Sequence, residues 1–374
     1  MKILFNCLTM EKGGAERVIA LLANEFSKEN DVSIISLMRS EDAYGLEPKV
    51  KRLRVDGSSH KTDNKFRKIT RKLSVVRLSR MRKMIISEGP DIIISFLPEP
   101  SLKLMLLSKF SKKIRDIPKI ISIRNDPKKE FSKPMVKRIM KKLYKDADGM
   151  VYQTEDAKNY FGGIIKTKHQ EIIQNPIDPD MLIKPKKDGQ RKNIIISVGR
   201  LEEQKNHEML IRAFADTLKE KEHDYSLKIC GEGSLRNYLQ KLINELGLAD
   251  RIVLVGQVDN IQKELNEAKI FVLSSRYEGM PNALIEAMAM RLPCISTDCP
   301  CGGPRSLIEN GKNGILVENE NKKVLSEAML DLMGDRNKRE IISRNAVLIR
   351  KKNNVGKIAG EWMCLMKDVI GSKK

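Results

Sequence analysis

Two cations in the second half of the chain are well placed to bind a phosphorylated ligand. Arg200 and Lys205 lie in a short loop after an apolar run that ends at Val198, and Gly199 allows the turn. A guanidinium offers a planar fork to a diphosphate, and an ammonium supplies a mobile point charge. A solvated surface pair is the alternative. The position directly after a predicted strand favours a diphosphate site.

Two carboxylates follow in a second loop and helix. Glu278 lies in a segment rich in Gly, Pro and Asn, and Glu286 lies eight residues on, inside a predicted helix. Free amides at the start of that helix suit phosphate oxygens, so we expect the carboxylates to bind neutral groups such as vicinal hydroxyls. An acid–base pair, as in a glycosidase, is the competing hypothesis, and capping or ion pairing is a third.

The first half offers one comparable loop. Gly13 and Gly14 follow the first predicted strand and precede a helix that begins near Ala15. Glycines let the backbone approach a ligand, and a helix N-terminus suits a phosphate or an ionised sugar substituent. The spacing is not the G-x-G-x-x-G dinucleotide fingerprint, and a plain tight turn fits it equally well.

The elements that must position these loops are short β-branched runs alternating with longer amphipathic stretches. This alternation is typical of parallel sheets with helical crossovers. The predicted strands are residues 2–8, 32–37, 92–96, 119–123, 149–153, 193–198, 226–230, 252–255, 270–274 and 293–297. The clearest predicted helix spans residues 15–26, and further helices are predicted at 209–221, 235–246, 261–268 and 283–289. Ligands of such sheets bind outside the carboxyl ends of the strands, where all three loops lie.

The pattern restarts near residue 193, which predicts two doubly wound α/β domains facing across a cleft. We expect a basic N-terminal domain over residues 1–180, a linker over 181–192 and a second domain over 193–340. The seam between the halves, residues 175–192, is rich in Pro, Asp and Lys and poor in apolar residues, which is a linker composition. We expect residues 341–374 to form a helical region that crosses back onto the N-terminal domain.

The net charge of +21 is unevenly distributed. Residues 1–190 carry 40 Lys and Arg against 24 Asp and Glu, whereas residues 191–374 carry 30 against 25. The first half should therefore attract an anionic partner. Its basic stretches at 61–86 and 133–145 predict amphipathic helices suited to an anionic membrane surface, with solvated helix faces as the alternative. No nucleic-acid module is recognisable and aromatic residues are few, so we expect no nucleic acid.

The six cysteines do not suggest a disulfide framework, and no histidine lies near the Cys299–Cys301 pair in sequence, so we expect no metal site. No run approaches the ~18 apolar residues of a membrane span. The first ten residues suit a strand better than a signal sequence. We therefore expect a cytoplasmic protein.

Together these segments resemble the retaining GT-B glycosyltransferases of family 4. The matching segments are residues 13–17 (GGAER), 175–178 (NPID), 198–201 (VGRL), 204–206 (QKN), 231–233 (GEG), 310–314 (NGKNG) and the Glu278/Glu286 pair. They cover nearly the whole chain in the family's order. Each segment alone is common, but a chance match of the complete set is negligible.

The resemblance implies that Arg200 and Lys205 hold the donor diphosphate, Glu286 the ribose and Glu278 the transferred sugar. Arg200, Lys205 and Glu278 would be the catalytic residues. The remaining implied donor-binding residues are Gly14, Gly279, Met280, Asn282, Ala283 and Leu284. Candidates for the acceptor region are Gly13, Glu16, Arg124 and Asn125; relatives often carry His or Asn after the strand at 119–123. Relatives also often carry Glu where Ser306 stands.

The resemblance further implies retention of anomeric configuration without an enzyme nucleophile, the cations stabilising charge on the leaving diphosphate. No metal or cofactor is implied, and the D-x-D of residues 178–180 belongs to the linker signature. The expected donor is a UDP-sugar. The expected acceptor is a glycan or a polyprenyl-diphosphate-linked oligosaccharide at the inner face of the cytoplasmic membrane. The alternatives are a 2-epimerase or phosphorylase of the same architecture and a non-catalytic sugar-nucleotide or nucleic-acid-binding protein.

Overall fold

The computed structural model describes residues 1–55, 75–165 and 167–373. They form two compact units, one of Met1–Pro176 with Val355–Lys374 and one of Ile177–Asn354. Among these residues, no helix is long and apolar enough to cross a membrane. The part of the predicted basic helix at residues 61–74 lies outside the described residues.

The first unit contains a parallel sheet of seven described strands in the order β3-β2-β1-β4-β5-β6-β7. The strands are β1 (Lys2–Cys7), β2 (Asp31–Ser36), β3 (Lys51–Arg54), β4 (Ile92–Phe96), β5 (Lys119–Ser122), β6 (Gly149–Tyr152) and β7 (His169–Ile172). The helices are α1 (Gly14–Phe26), α2 (Val75–Glu88), α3 (Pro98–Phe110), α4 (Lys112–Arg115), α5 (Pro127–Glu130), α6 (Pro134–Tyr144) and α7 (Glu155–Phe161).

Both faces of this sheet are buried, as parallel strands require. Successive side chains of a strand point to opposite faces. Accordingly Ile3 and Phe5 of β1 join one hydrophobic cluster, whereas Leu4 joins another. The five strands predicted for this half are all present. The edge strands β3 and β7 were not predicted because their residues are mostly polar and only partly buried.

The second unit repeats the design with six described strands in the order β10-β9-β8-β11-β12-β13. They are β8 (Ile194–Val198), β9 (Ser226–Cys230), β10 (Ile252–Gly256), β11 (Ile270–Leu273), β12 (Cys294–Thr297) and β13 (Ile315–Val317). The helices are α8 (His207–Glu220), α9 (Arg236–Glu245), α10 (Ile261–Glu267), α11 (Asn282–Ala289), α12 (Gly303–Leu307), α13 (Lys322–Gly334), α14 (Arg336–Ala346) and α15 (Ile349–Lys352). The short edge strand β13 was not predicted.

The segment predicted to be a linker is packed onto the second unit. Short 3-10 helices span Pro179–Leu182 and Asp188–Gln190. Arg191 is buried and donates to the backbone carbonyls of Leu265 and Ala268 over 2.9 and 2.8 Å.

The last helix, α16 (Val355–Gly371), belongs to the first unit. Its buried residues recur at helical spacing, so one apolar stripe faces the core. Trp362 lies in that stripe and stacks on Phe96 of β4, with 6.0 Å between the ring centroids.

Candidate functional site

The loop after β8 positions the two cations. Residues Glu203–Lys205 form a 3-10 turn, and Asn206 adopts a left-handed backbone with φ 49° before α8 begins. The methylenes of Lys205 pass close to Gly199, where an added Cβ would lie 3.1 Å from Lys205 Cδ. Arg200 is exposed, and Lys205 is half-buried. Gly199 therefore leaves the space through which the lysine side chain runs.

This loop meets the loop that follows β11. The neighbours of β8 are β9 on one side and β11 on the other, so the strand order reverses at this point. Ligands of open parallel sheets bind in the crevice at such a point. Lys205 Nζ donates to Glu278 Oε1 over 2.5 Å, and Ser275 Oγ donates to the same oxygen over 2.6 Å. The structure thus brings Arg200, Lys205 and Glu278 into one site.

Gln204 links the three predicted residues. Its amide nitrogen donates to Tyr277 O over 3.0 Å and reaches Glu278 Oε2 over 3.5 Å. Its amide oxygen accepts from the Arg200 guanidinium over 3.5 Å. The sequence analysis gave no role to Gln204 or to Ser275. Their position in the sequence could have identified them, because each lies within a few residues of a charged residue predicted to be in the site.

Pro300 and Cys301, here called the backbone strap, hold the Glu278 loop through backbone hydrogen bonds. The Glu278 amide donates to Pro300 O over 2.6 Å, and the Cys301 amide donates to Glu278 O over 3.0 Å. At Gly303 an added Cβ would lie 1.7 Å from Gly279 O, so the start of α12 packs directly on this loop. The strap was also missed, although adjacent glycines before a proline indicate a close backbone approach.

Glu286 lies in α11, which begins directly after the Glu278 loop. Both carboxylate side chains are buried. Most of the predicted donor-binding residues lie in the same loop and helix: Gly279, Met280, Asn282, Ala283 and Leu284. These residues therefore follow Glu278 along one loop and helix, which begins at Asn282.

The loops after β8 and β9 are in close contact. Gly231 has φ 147°, and an added Cβ there would lie 2.0 Å from Gly199 O. Only glycine combines that backbone angle with that approach. The Gly-Glu-Gly segment thus supports the turn that carries Arg200.

His207 lies buried beneath the cation loop at the start of α8. Burial lowers the pKa of His207 to about 4; the nearby charge of Lys205 also lowers it, and the backbone of Gly199 and Arg200 partly opposes the shift. The imidazole is therefore neutral at pH 7, and it adds no charge to the site.

In the first unit, the predicted glycine loop is fixed by Tyr44. The Gly13 amide donates to the Tyr44 hydroxyl over 3.0 Å, and that hydroxyl donates to Gly13 O over 2.9 Å. The Glu16 carboxylate lies against Gly13, where an added Cβ would be 2.1 Å from Oε2. The helix α1 begins at Gly14. The Gly13 amide is therefore already engaged by Tyr44.

The remaining candidates follow β5. Asn125 accepts a hydrogen bond from the Asp126 amide over 2.9 Å, which forms a local turn before α5. Arg124 is buried, and its guanidinium lies over the Phe96 ring, 4.8 Å from the centroid. Arg124 and Asn125 thus lie at the carboxyl edge of the first sheet.

The cysteines do not provide an obvious metal site. Burial raises the pKa of Cys299 to about 12, so its thiol stays protonated at pH 7. Within residues 1–55, 75–165 and 167–373, no group of three or more His, Cys, Asp or Glu side chains could hold a metal ion.

Two parallel-sheet α/β domains, the second with a charged site at its switch point, are the architecture of GT-B glycosyltransferases. A solved structure of TarM from S. aureus, in complex with fondaparinux, alpha-GlcNAc-glycerol and UDP, has a similar fold. The TM-score is 0.78 at 17% identity, over 98% of this chain and 99% of that one.

The sequence comparisons identify the family. The family model "Glycosyltransferase Family 4" matches residues 12–181, and "Glycosyl transferases group 1" matches residues 180–348. The chain belongs to the family 4 glycosyltransferases.

Two relatives come from Campylobacter jejuni. One is a GalNAc-alpha-(1->4)-GalNAc-alpha-(1->3)-diNAcBac-PP-undecaprenol alpha-1,4-N-acetyl-D-galactosaminyltransferase, 28% identical over 99% of both chains. The other is an N-acetylgalactosamine-N,N'-diacetylbacillosaminyl-diphospho-undecaprenol 4-alpha-N-acetylgalactosaminyltransferase, 30% identical over 94% of this chain and 95% of the relative.

Proposed function

We propose that this chain is a retaining, metal-independent glycosyltransferase that moves a sugar from a UDP-sugar to a glycan linked to a polyprenyl diphosphate. The observation that carries the proposal is the site around Lys205, in which Arg200, Gln204 and Glu278 are joined by hydrogen bonds. It lies at the carboxyl edge of the second sheet, at its switch point.

The site is suited to stabilising a leaving diphosphate. When the bond from the anomeric carbon to the diphosphate oxygen breaks, negative charge develops on that oxygen. Arg200 and Lys205 supply fixed positive charge there, which is electrostatic catalysis that needs no metal ion. The same diphosphate oxygen then takes the proton of the acceptor hydroxyl as the new bond forms on the same face.

The carboxylates suit the neutral parts of the donor. Ionised carboxylates act only as hydrogen-bond acceptors, and a diol offers two hydroxyl donors to each. Glu278 would accept from the transferred sugar and Glu286 from the ribose. The UDP in the TarM complex supports a uridine nucleotide.

The acceptor is proposed from the relatives. The names of both Campylobacter jejuni relatives specify acceptors carried on undecaprenol through a diphosphate. Such an acceptor is embedded in a membrane through its lipid. An enzyme that uses it benefits from a basic surface, because anionic headgroups attract cations near the membrane.

The helix α6 offers such a surface in the first unit. Met135 and Ile139 are 75% and 45% exposed, and the same helix exposes Arg138, Lys141 and Lys142. Its other face is buried through Met140, Leu143 and Tyr144. Exposed apolar side chains beside cations are typical of helices that lie in a membrane interface. We propose that α6 contacts the cytoplasmic face of the membrane.

Vesicle binding tests this contact. Wild-type protein should bind vesicles that contain phosphatidylglycerol, and binding should weaken as salt rises, because the Debye length is about 10 Å at 0.1 M. The triple variant Arg138→Glu/Lys141→Glu/Lys142→Glu should lose binding. The control is Lys351→Glu/Lys352→Glu, which reverses two exposed charges in the second unit. Equal binding by both variants would refute the role of α6.

The reaction itself is tested by product analysis. A UDP-sugar and a short lipid-diphosphate-linked glycan are incubated with enzyme, with and without EDTA, and the new linkage is determined by NMR. The proposal expects an anomer of the same configuration as the donor, formed at an unchanged rate in EDTA. An inverted product would contradict retention, and loss of activity in EDTA would contradict metal independence. A 2-epimerised sugar with no transfer would identify the alternative enzyme class.

A further inference from the structure

Arg124 is a buried cation whose hydrogen-bond partners are neutral. One terminal nitrogen donates to Ser122 Oγ over 3.3 Å, and the other donates to Asn175 Oδ1. Asn175 Oδ1 also accepts from Gln153 Nε2 over 2.6 Å. Among the described residues, no carboxylate forms an ion pair with Arg124. A buried charge is costly unless it is paired, so within the described part of the chain Arg124 is left with an uncompensated charge.

Two other buried arginines show what a structural role requires. Arg339 makes a two-pronged ion pair with Asp188, over 2.8 and 3.0 Å. Arg191 donates to the backbone carbonyls at the ends of α10 and α11, including Met290 O over 2.8 Å. Each is surrounded by negative charge or by the negative ends of helices. In residues 1–55, 75–165 and 167–373, Arg124 has neither kind of partner.

Arg124 also lies at the edge of the sheet where ligands bind in this class of fold. It lies two residues after the end of β5, and it stacks on Phe96 at the end of the neighbouring strand β4. Both positions are at the carboxyl edge of the first sheet, where open α/β sheets bind ligands. Burial lowers its pKa to about 9, so the guanidinium remains charged at pH 7. The aromatic ring and Asn175 hold its plane in one orientation.

The geometry points to Arg124 as the anion-binding residue of the first unit, where its guanidinium takes a phosphate or diphosphate group of a substrate. A planar guanidinium can bind two phosphate oxygens at once. Because stacking already orders the side chain, binding costs less conformational entropy. The inference rests on the proposed function only for the source of the phosphate, which is either the lipid diphosphate of the acceptor or the diphosphate of the donor.

Pyrophosphate binding tests the inference without any catalytic reaction. The background variant Arg200→Gln/Lys205→Gln removes the cations of the second unit, and inorganic pyrophosphate is titrated into it by calorimetry. The background variant should retain one site. Adding Arg124→Gln should raise its Kd by roughly tenfold or more, because a charge-assisted hydrogen bond is lost. Adding Arg124→Lys should raise it by less. No binding by the background variant, or an unchanged Kd in Arg124→Gln, would overturn the inference.

A stability measurement separates ligand binding from a structural role. Arg124→Gln removes the uncompensated charge, and Asn175 Oδ1 keeps the hydrogen bond from Gln153. The thermal midpoint of Arg124→Gln should therefore equal or exceed that of the wild type, while pyrophosphate binding weakens. A lower midpoint with unchanged binding would show that Arg124 is structural.

Two further titrations, with farnesyl diphosphate and with UDP, identify which substrate supplies the phosphate. They use Arg124→Gln with Arg200 and Lys205 intact. Weaker binding of farnesyl diphosphate with unchanged UDP binding assigns Arg124 to the lipid diphosphate, and the reverse assigns it to the donor. Unchanged binding of both would overturn the inference. A protein that binds pyrophosphate through Arg124 but transfers no sugar would refute the proposed function and leave this inference standing.

Discussion

Lys205 Nζ lies 2.5 Å from Glu278 Oε1, and the two side chains are 15% and 7% exposed. This ion pair connects the loop after β8 to the loop after β11. Removing one partner of a buried pair leaves an uncompensated charge. The pair therefore fixes the position of the lysine ammonium and at the same time makes each residue depend on the other.

This dependence predicts a non-additive double-mutant cycle. Lys205→Met and Glu278→Gln should each lower the denaturant midpoint, and the double variant should be less destabilised than the sum. We expect a coupling free energy of about 1–3 kcal/mol, as for residues in direct contact. Urea unfolding of the four proteins measures it. Additive effects would show that the pair contributes nothing to stability.

The cations should act mainly on turnover. Arg200→Ala and Lys205→Ala should each reduce kcat by roughly 10²-fold or more, because charge on the leaving diphosphate is greatest in the transition state. Steady-state kinetics with a UDP-sugar measures the change. Arg276→Ala is the control, since Arg276 lies in the neighbouring loop after β11, two residues before Glu278, but pairs with Glu320 and is 47% exposed. Near-normal kcat in the first two variants would remove the electrostatic mechanism.

Glu278 distinguishes hydroxyl binding from acid–base catalysis. Glu278→Gln should lower kcat/KM, since the amide both weakens the hydroxyl contact and releases Lys205. The shape of the pH–rate profile should stay the same, because a hydroxyl-binding carboxylate transfers no proton. An acid or base would instead lose one limb of the profile in this variant. That loss would favour the glycosidase-type alternative.

The backbone strap predicts a large effect from a single methyl group. Gly303→Ala would place Cβ 1.7 Å from Gly279 O, so the Glu278 loop must move and activity should fall together with the thermal midpoint. Gly334→Ala is the matched control, because no atom lies within 4 Å of its added Cβ. That variant should keep both activity and stability. Equal behaviour of the two variants would show that the strap does not position Glu278.

His207 predicts a specific loss of stability in acid. The pKa of the buried imidazole is about 4, below its ordinary value of 6.5, so the unfolded chain binds the proton first as pH falls. The free energy of unfolding should therefore decrease between pH 6.5 and pH 4, by at most about 3 kcal/mol from this residue. Unfolding curves of wild type and His207→Gln across this range measure the contribution. An identical pH slope in both proteins would contradict the low pKa.

The sequence predicted the central strands because apolar, β-branched runs are buried on both faces of a parallel sheet. It also predicted that Arg200, Lys205 and Glu278 would share a site, because each follows a strand that ends at one edge of the sheet. It assigned no role to Gln204 or to the Pro300–Cys301 strap, because both act through hydrogen bonds between loops. The edge strands β3, β7 and β13 were missed because few of their residues are fully buried.

The most direct test of the donor site is calorimetric titration of a panel of nucleotide-sugars. The wild type should bind one UDP-sugar, and Arg200→Gln/Lys205→Gln should bind it at least about tenfold more weakly, since charge-assisted hydrogen bonds to the diphosphate are lost. The control Arg276→Gln should bind like the wild type. Equal affinity in all three proteins, or no binding of any nucleotide-sugar by the wild type, would contradict the assignment of Arg200 and Lys205 to the donor diphosphate.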